Sequence, residues 1–227
     1  MTSEELVNEY IQVCKHFRQK RKAMLKKLAN IDELTVKDNI VKNSNLCIIL
    51  SCPGEEELIE QKVCVGKTGR NLECVLELVL LKFNKKIIGR SDSSAVGDFQ
   101  EGFRYNYTIL NASNKVYFRA LNSAEASEDE IIDTKNITRV EKMLEGLKIK
   151  YFLICGKNAE MLFDKINARY PTALCSKICH VGDVGIRRKY PNSYSIGDGF
   201  IIDDLPENER DSKRFKLISE QIIQDWK

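Results

Sequence analysis

Short apolar runs recur along this chain, and a segment of helical period follows each of them. LCIIL (46–50) is an unbroken apolar, β-branched run that stops at a turn, the pattern of a strand buried on both faces. YNYTILN (105–111), KYFLIC (150–155) and TALCSKICH (172–180) read as further strands. Between them, RNLECVLELVLLKF, ASEDEIIDTKNITRVEKMLEGL (with Gly146 near its end) and GKNAEMLFDKI carry apolar side chains at helical spacing, and SKRFKLISEQIIQDWK closes the chain. Strands alternating with helices predict an α/β fold: a three-layer αβα sandwich around a central, mainly parallel four-stranded sheet. Ligands of such sheets bind beyond the carboxyl ends of the strands. Three of those ends carry polar or turn residues: SCPG after the first, Asn111 after the second and His180 after the fourth.

Upstream, Val7, Tyr10, Cys14, Phe17, Met24 and Leu28 form one helical stripe, and Ser3 with Glu4 and Glu5 is a cap signal. This predicts a helical extension over about 1–40 on a single domain spanning 1–227. Its basic run KHFRQKRKAMLKK (15–27) reads as a solvated helix face, and the polar stretch 84–102 as a loop or small insertion. A net charge of +3 permits a nucleic-acid partner without requiring one. The longest apolar run, near 76–81, is too short for a membrane span, and the acidic start MTSEELVNEY is no signal peptide. The eight cysteines include no CxxC, and Cys47, Cys52, Cys74 and Cys155 lie in or beside apolar stretches, as small buried hydrophobes do. Cys175, Cys179 and His180 come nearest to a metal pattern, but on a strand Cys175 and Cys179 share a face and sit too far apart to chelate one ion easily. The expectation is a cytoplasmic monomer with no metal and no cofactor.

Residues 51–69, SCPGEEELIEQKVCVGKTG, place two glycine-containing turns close together, the second opening a helix. Gly66-Lys67-Thr68 matches the second half of a P-loop, but the first glycine is absent, with Glu60 and Gln61 standing where it belongs. A helix start with free N–H groups at Gly66, Lys67 and Thr68 suits a backbone phosphate instead.

In this stretch the chain resembles the uracil-DNA glycosylase superfamily. The nearest branch is bacterial and archaeal, with a first motif of Gly-Glu-Ala-Pro-Gly, acidic residues, then Gly-x-Pro-Phe-Val-Gly-x-Ala-Gly. Here the motif stands as Leu50-Ser51-Cys52-Pro53-Gly54, Glu55-Glu56-Glu57, and Gln61 through Gly69. Asn111 in YTILN is similar to the superfamily's strand-end asparagine, and His180-Val181-Gly182 to its late His-Pro-Ser motif. The similarity covers roughly 44–190, with the motifs in order.

The resemblance implies an enzyme that flips a nucleotide out of DNA and hydrolyses its N-glycosidic bond. It implies a base pocket of Cys52, Pro53, Gly54, Cys64 and Asn111. His180 would stabilise the departing base, and Gly66, Lys67, Thr68, Arg187, Arg188 and Lys189 would contact DNA, with Val184 or Ile186 as an apolar wedge. Two departures shape the expectation. The water-activating positions hold Ser51 and Cys52 rather than a carboxylate, so Glu55, Glu56, Glu57 or Asp183 would have to substitute. The stacking phenylalanine is Cys64, which implies a widened pocket for a bulky or hypermodified pyrimidine, as in phage DNA. The iron–sulfur cysteines of that branch are missing too. A second reading is a glycosylase-fold module that binds a modified base or nucleotide without cleaving it.

Overall fold

A computed structural model describes residues 3–16, 28, 34–83, 102–119, 121 and 125–227. The basic run after His16, Phe17, Met24 and nearly all of the predicted insertion lie outside them. Among the described residues a parallel sheet contains β1 (Leu46–Leu50), β2 (Thr108–Asn111), β3 (Tyr151–Cys155) and β4 (Leu174–Ile178), in the order β2-β1-β3-β4. The chain leaves β1 toward one edge and returns to its other side, so the topological switch point falls between β1 and β3.

Strict alternation sorts the sheet's side chains into two cores. Leu46, Ile48, Leu50, Leu153 and Cys155 pack beneath α3 (Gly66–Phe83) and α8 (Glu207–Asp225). Cys47, Ile49, Phe152 and Ile154 pack beneath α5 (Thr134–Leu144) and α6 (Lys157–Ile166). The result is the expected three-layer sandwich. Each fully buried Leu, Ile or Phe in these layers contributes about 1.5–3 kcal/mol. Trp226, just beyond α8, sits against Tyr151 at 5.2 Å between ring centroids and closes the bottom of the first core.

Helix α1 (Ser3–His16) buries Leu6 and Tyr10 in a third cluster with Leu34, Val36, Leu58 and Val116. Its Leu58 belongs to α2 (Glu55–Glu60), the short helix that follows β1. The chain from Leu34 then covers the β2 edge, with Asn39 in an antiparallel bridge to Ile109. An otherwise open edge is thereby protected.

Three boundaries differ from the sequence reading. The second strand does not begin at Tyr105: Phe103–Asn106 form a 3-10 turn, and β2 starts at Thr108. Arg104 is drawn inward there, donating to the Cys64 carbonyl at 2.9 Å and pairing with Glu73, while the Tyr105 hydroxyl donates to the Val63 carbonyl at 2.9 Å. The charged helix after β2 is split into α4 (Glu128–Ile132) and α5 by Asp133, which is extended and accepts from Lys135 N–H at 2.8 Å as the new cap. The fourth strand stops at Ile178, leaving Cys179 and His180 in the turn before α7 (Asp183–Lys189). A hairpin of β5 (Ser195–Gly197) and β6 (Phe200–Ile201) follows, hinged on a Gly-Asp-Gly turn.

Candidate active site

The polar strand ends lie along the carboxyl edge of the sheet, on two faces, with Asn111 after β2 and His180 after β4 separated by β1 and β3. Asn111 is level with Leu50 and shares a face with Ile109, on the α3 side. Ser51, one residue beyond Leu50, turns to the α6 side, where the Asn158 side chain donates to its Oγ at 3.0 Å. The loops beyond β1 and β2 stay joined: Ser113 N–H donates to the Ser51 carbonyl at 3.0 Å, and Tyr117 N–H to the Pro53 carbonyl at 2.8 Å. These two bonds tie the loops together along this edge.

His180 sits at the centre of a site built for it. Gly156, at φ +92°, ends β3 against it, and a methyl group there would lie 3.2 Å from the His180 Cβ. At Gly185 a methyl group would come within 2.3 Å of the His180 carbonyl oxygen, so only glycine fits. His180 Nδ1 accepts from Gly182 N–H at 3.0 Å, which places the proton of the neutral ring on Nε2. Burial holds the imidazole below its ordinary value, partly opposed by the charge of Glu125. The ring is a neutral donor at physiological pH.

A cleft of about 600 Å³ opens beside this histidine, lined by Glu125, Lys157, Asn158, Arg188 and Lys189 among others. Its basic side continues the cluster predicted from sequence, since Arg187, Arg188 and Lys189 form the exposed last turn of α7. Arg214, itself buried, fixes that turn by donating to the Tyr190 carbonyl at 2.9 Å and to Asn192 at 2.6 Å. Val184 is 71 % exposed at the start of α7, whereas Ile186 is core; only Val184 is placed to act as a wedge.

Other predicted residues are engaged in the scaffold. Gly54 N–H, expected to face a base, donates to Glu57 Oε2 at 3.0 Å, so this turn is capped from within. Glu55 accepts from the Tyr10 hydroxyl at 2.6 Å. Asp183 pairs with Lys67 and accepts from Asn71 at 3.1 Å. Burial pushes that carboxyl up, but Lys67 and Asn71 together outweigh burial and hold it below its usual range. Lys67 and Thr68 thus dock α3 onto the His180 loop; Thr68 Oγ1 would lie 3.5 Å from a Cβ at Gly182. Cys64 is wholly buried in the α3-side core, and burial pushes its thiol up to about 12. Cys52 is half-buried, with its thiol also raised by burial.

Asn111 is 2 % exposed, and among the described residues its buried side-chain nitrogen has no hydrogen-bond acceptor. Its backbone, in contrast, is gripped on both sides: N–H donates to Asp38 Oδ1 at 2.7 Å and the carbonyl accepts from Arg139 Nη2 at 2.9 Å. A buried donor left unpaired costs about 1–3 kcal/mol, so Asn111→Leu is expected to leave the urea-unfolding midpoint unchanged or raise it. A structural asparagine would lower it.

Two residues that the sequence reading passed over, Asn158 and Glu125, belong to this site. Asn158 lies in LICGKNAEML, which reads only as a strand, a glycine and a helix, and the pairing of β1 with β3 brings α6 over Ser51. Glu125 lies one residue before the charged stretch that reads as a helix from Ala126. No protein-family model matches the chain, and no curated protein matches it. Among the described residues no cluster of ligating side chains is arranged to hold a metal ion, and no helix is long and apolar enough to cross a membrane.

Proposed function

We propose that this chain is a monofunctional DNA glycosylase. It extrudes a damaged or modified base, reads it with Asn111 and hydrolyses its N-glycosidic bond to leave an abasic site. The observation that carries the reading is His180, a neutral Nε2–H donor enclosed by glycines in a cleft with a basic rim. Glycosidic cleavage leaves an electron pair on the departing base, and a preorganised donor is worth most where that charge develops. The Asn111 side-chain nitrogen, without an acceptor among the described residues, is a donor suited to a base carbonyl. Arg187, Arg188 and Lys189 contact flanking phosphates, and Val184 fills the space vacated in the stack. With Cys64 where a stacking ring would sit, the proposed substrate is a bulky or hypermodified pyrimidine rather than plain uracil.

The test is base release from duplex and single-stranded DNA containing uracil, hypoxanthine, xanthine or glucosylated hydroxymethylcytosine, each followed by alkaline cleavage at abasic sites. Release from one substrate, lost in His180→Ala and Asn111→Ala, is the expected result. Tight binding to one substrate without release from any would replace the enzyme with a non-catalytic reader of modified bases.

A further inference from the structure

Hydrolysis of a glycosidic bond needs a group to take a proton from water, and the end of β1 holds Ser51 and Cys52 in place of a carboxylate. None of the acids predicted to substitute, Glu55, Glu56, Glu57 and Asp183, lines the cleft beside His180; Glu57 bonds Gly54, Glu55 bonds Tyr10, and Asp183 pairs with Lys67 and Asn71. A different segment crosses this end of the sheet. The Asn158 amide that donates to Ser51 also lies 3.5 Å from the Ala126 carbonyl, and the Cys52 thiol meets the Ala126 backbone. Residue 126 is therefore held over Ser51 and Cys52. Its neighbour Glu125 lines the cleft that His180 lines from the far side of β3. Between the two, β3 ends in Gly156, which has no side chain to fill the gap.

We propose that Glu125 is the water-activating carboxylate of this site, delivered by the connection before α4 instead of by the end of β1. The inference rests on the glycosylase reading. The Glu125 carboxylate takes a proton from water as the water oxygen bonds to the sugar C1′. The C1′–N bond breaks, and its electron pair leaves on the base, which His180 Nε2–H stabilises. The base anion then recovers the proton from Glu125, so water has been divided between sugar and base. Glu128 and Lys157, paired with each other, and Arg188 and Lys189 are the other charged groups facing this space.

The experiment is single-turnover base release and DNA affinity for Glu125→Ala and Glu125→Asp in the full chain, with and without sodium formate. Glu125→Ala is expected to lose about 10²–10⁴ in rate at unchanged DNA affinity. Formate should restore part of that loss, and Glu125→Asp should retain more activity than the alanine variant. Neither effect would follow from a structural role. Release by Glu125→Ala at the wild-type rate, or a loss that formate does not touch, overturns the assignment while the glycosylase reading stands. Absence of base release by the wild-type chain from every substrate overturns that reading and this assignment with it.

Discussion

Replacing Arg139 with leucine is expected to lower stability by about 3–5 kcal/mol, measured by urea unfolding at neutral pH. Arg139 pairs with Asp38, whose side chain has no solvent exposure, and the same two residues clamp the Asn111 backbone. Leucine keeps the volume of the guanidinium stem but leaves the Asp38 carboxylate buried without its partner. Burial already holds that carboxyl above its ordinary value even with Arg139 beside it. Without Arg139 the folded value rises further, while the unfolded value does not move. The folded state then binds the proton first, so stability rises as pH falls from the raised value toward the unfolded one. The cost of Arg139→Leu should accordingly shrink at mildly acidic pH. Adding Asp38→Asn should recover much of it at neutral pH, because the amide oxygen still accepts from Asn111 N–H. A cost below about 1 kcal/mol at neutral pH would class the pair with exposed ones and remove the clamp on Asn111 from the account.

The layers of this fold were legible because they depend on side-chain periodicity, which is local. LCIIL and KYFLIC can be read as central strands since both of their faces are buried. The boundaries that moved are those decided at long range. Tyr105 looks like a strand residue, yet its hydroxyl is held by Val63, far away in the chain. The charged stretch after residue 126 has helical composition throughout, and only Asp133 acting as a second cap divides it. In the site, His180 was readable from its place at a strand end, and the glycines that enclose it stand nearby in sequence or follow a strand. The motif reading of 51–57 did not anticipate the cap at Gly54, because a Pro-Gly turn gives no sign that Glu57 will satisfy its amide. Glu125 and Asn158 were missed for the opposite reason: Glu125 has no local pattern, Asn158 reads only as part of a strand-glycine-helix unit, and long-range packing brings Asn158 and Ala126 together at the end of β1.

His180→Gln is expected to reduce single-turnover base release by about 10²–10³ while leaving DNA affinity in place. Glutamine retains hydrogen-bonding capacity but cannot accept from Gly182 with one end of a planar ring while presenting N–H from the other, as the imidazole does. The role assigned to His180 requires the neutral ring. Its NMR titration should therefore have a midpoint below the ordinary 6.5, the direction burial imposes. The linked stability follows in sign: with the folded value depressed, the contribution is complete above the unfolded value and is lost as pH falls through the interval down to the folded one. Gly185→Ala separates position from identity. Its methyl group would lie 2.3 Å from the His180 carbonyl oxygen and 2.9 Å from the Cβ, so the backbone must move and carry the ring with it. A loss of base release in Gly185→Ala comparable to that in His180→Gln would mean the donor works only where the glycines hold it. If His180→Gln instead cleaves at the wild-type rate, the departing base is stabilised by another group, and the enclosure of His180 serves the fold alone.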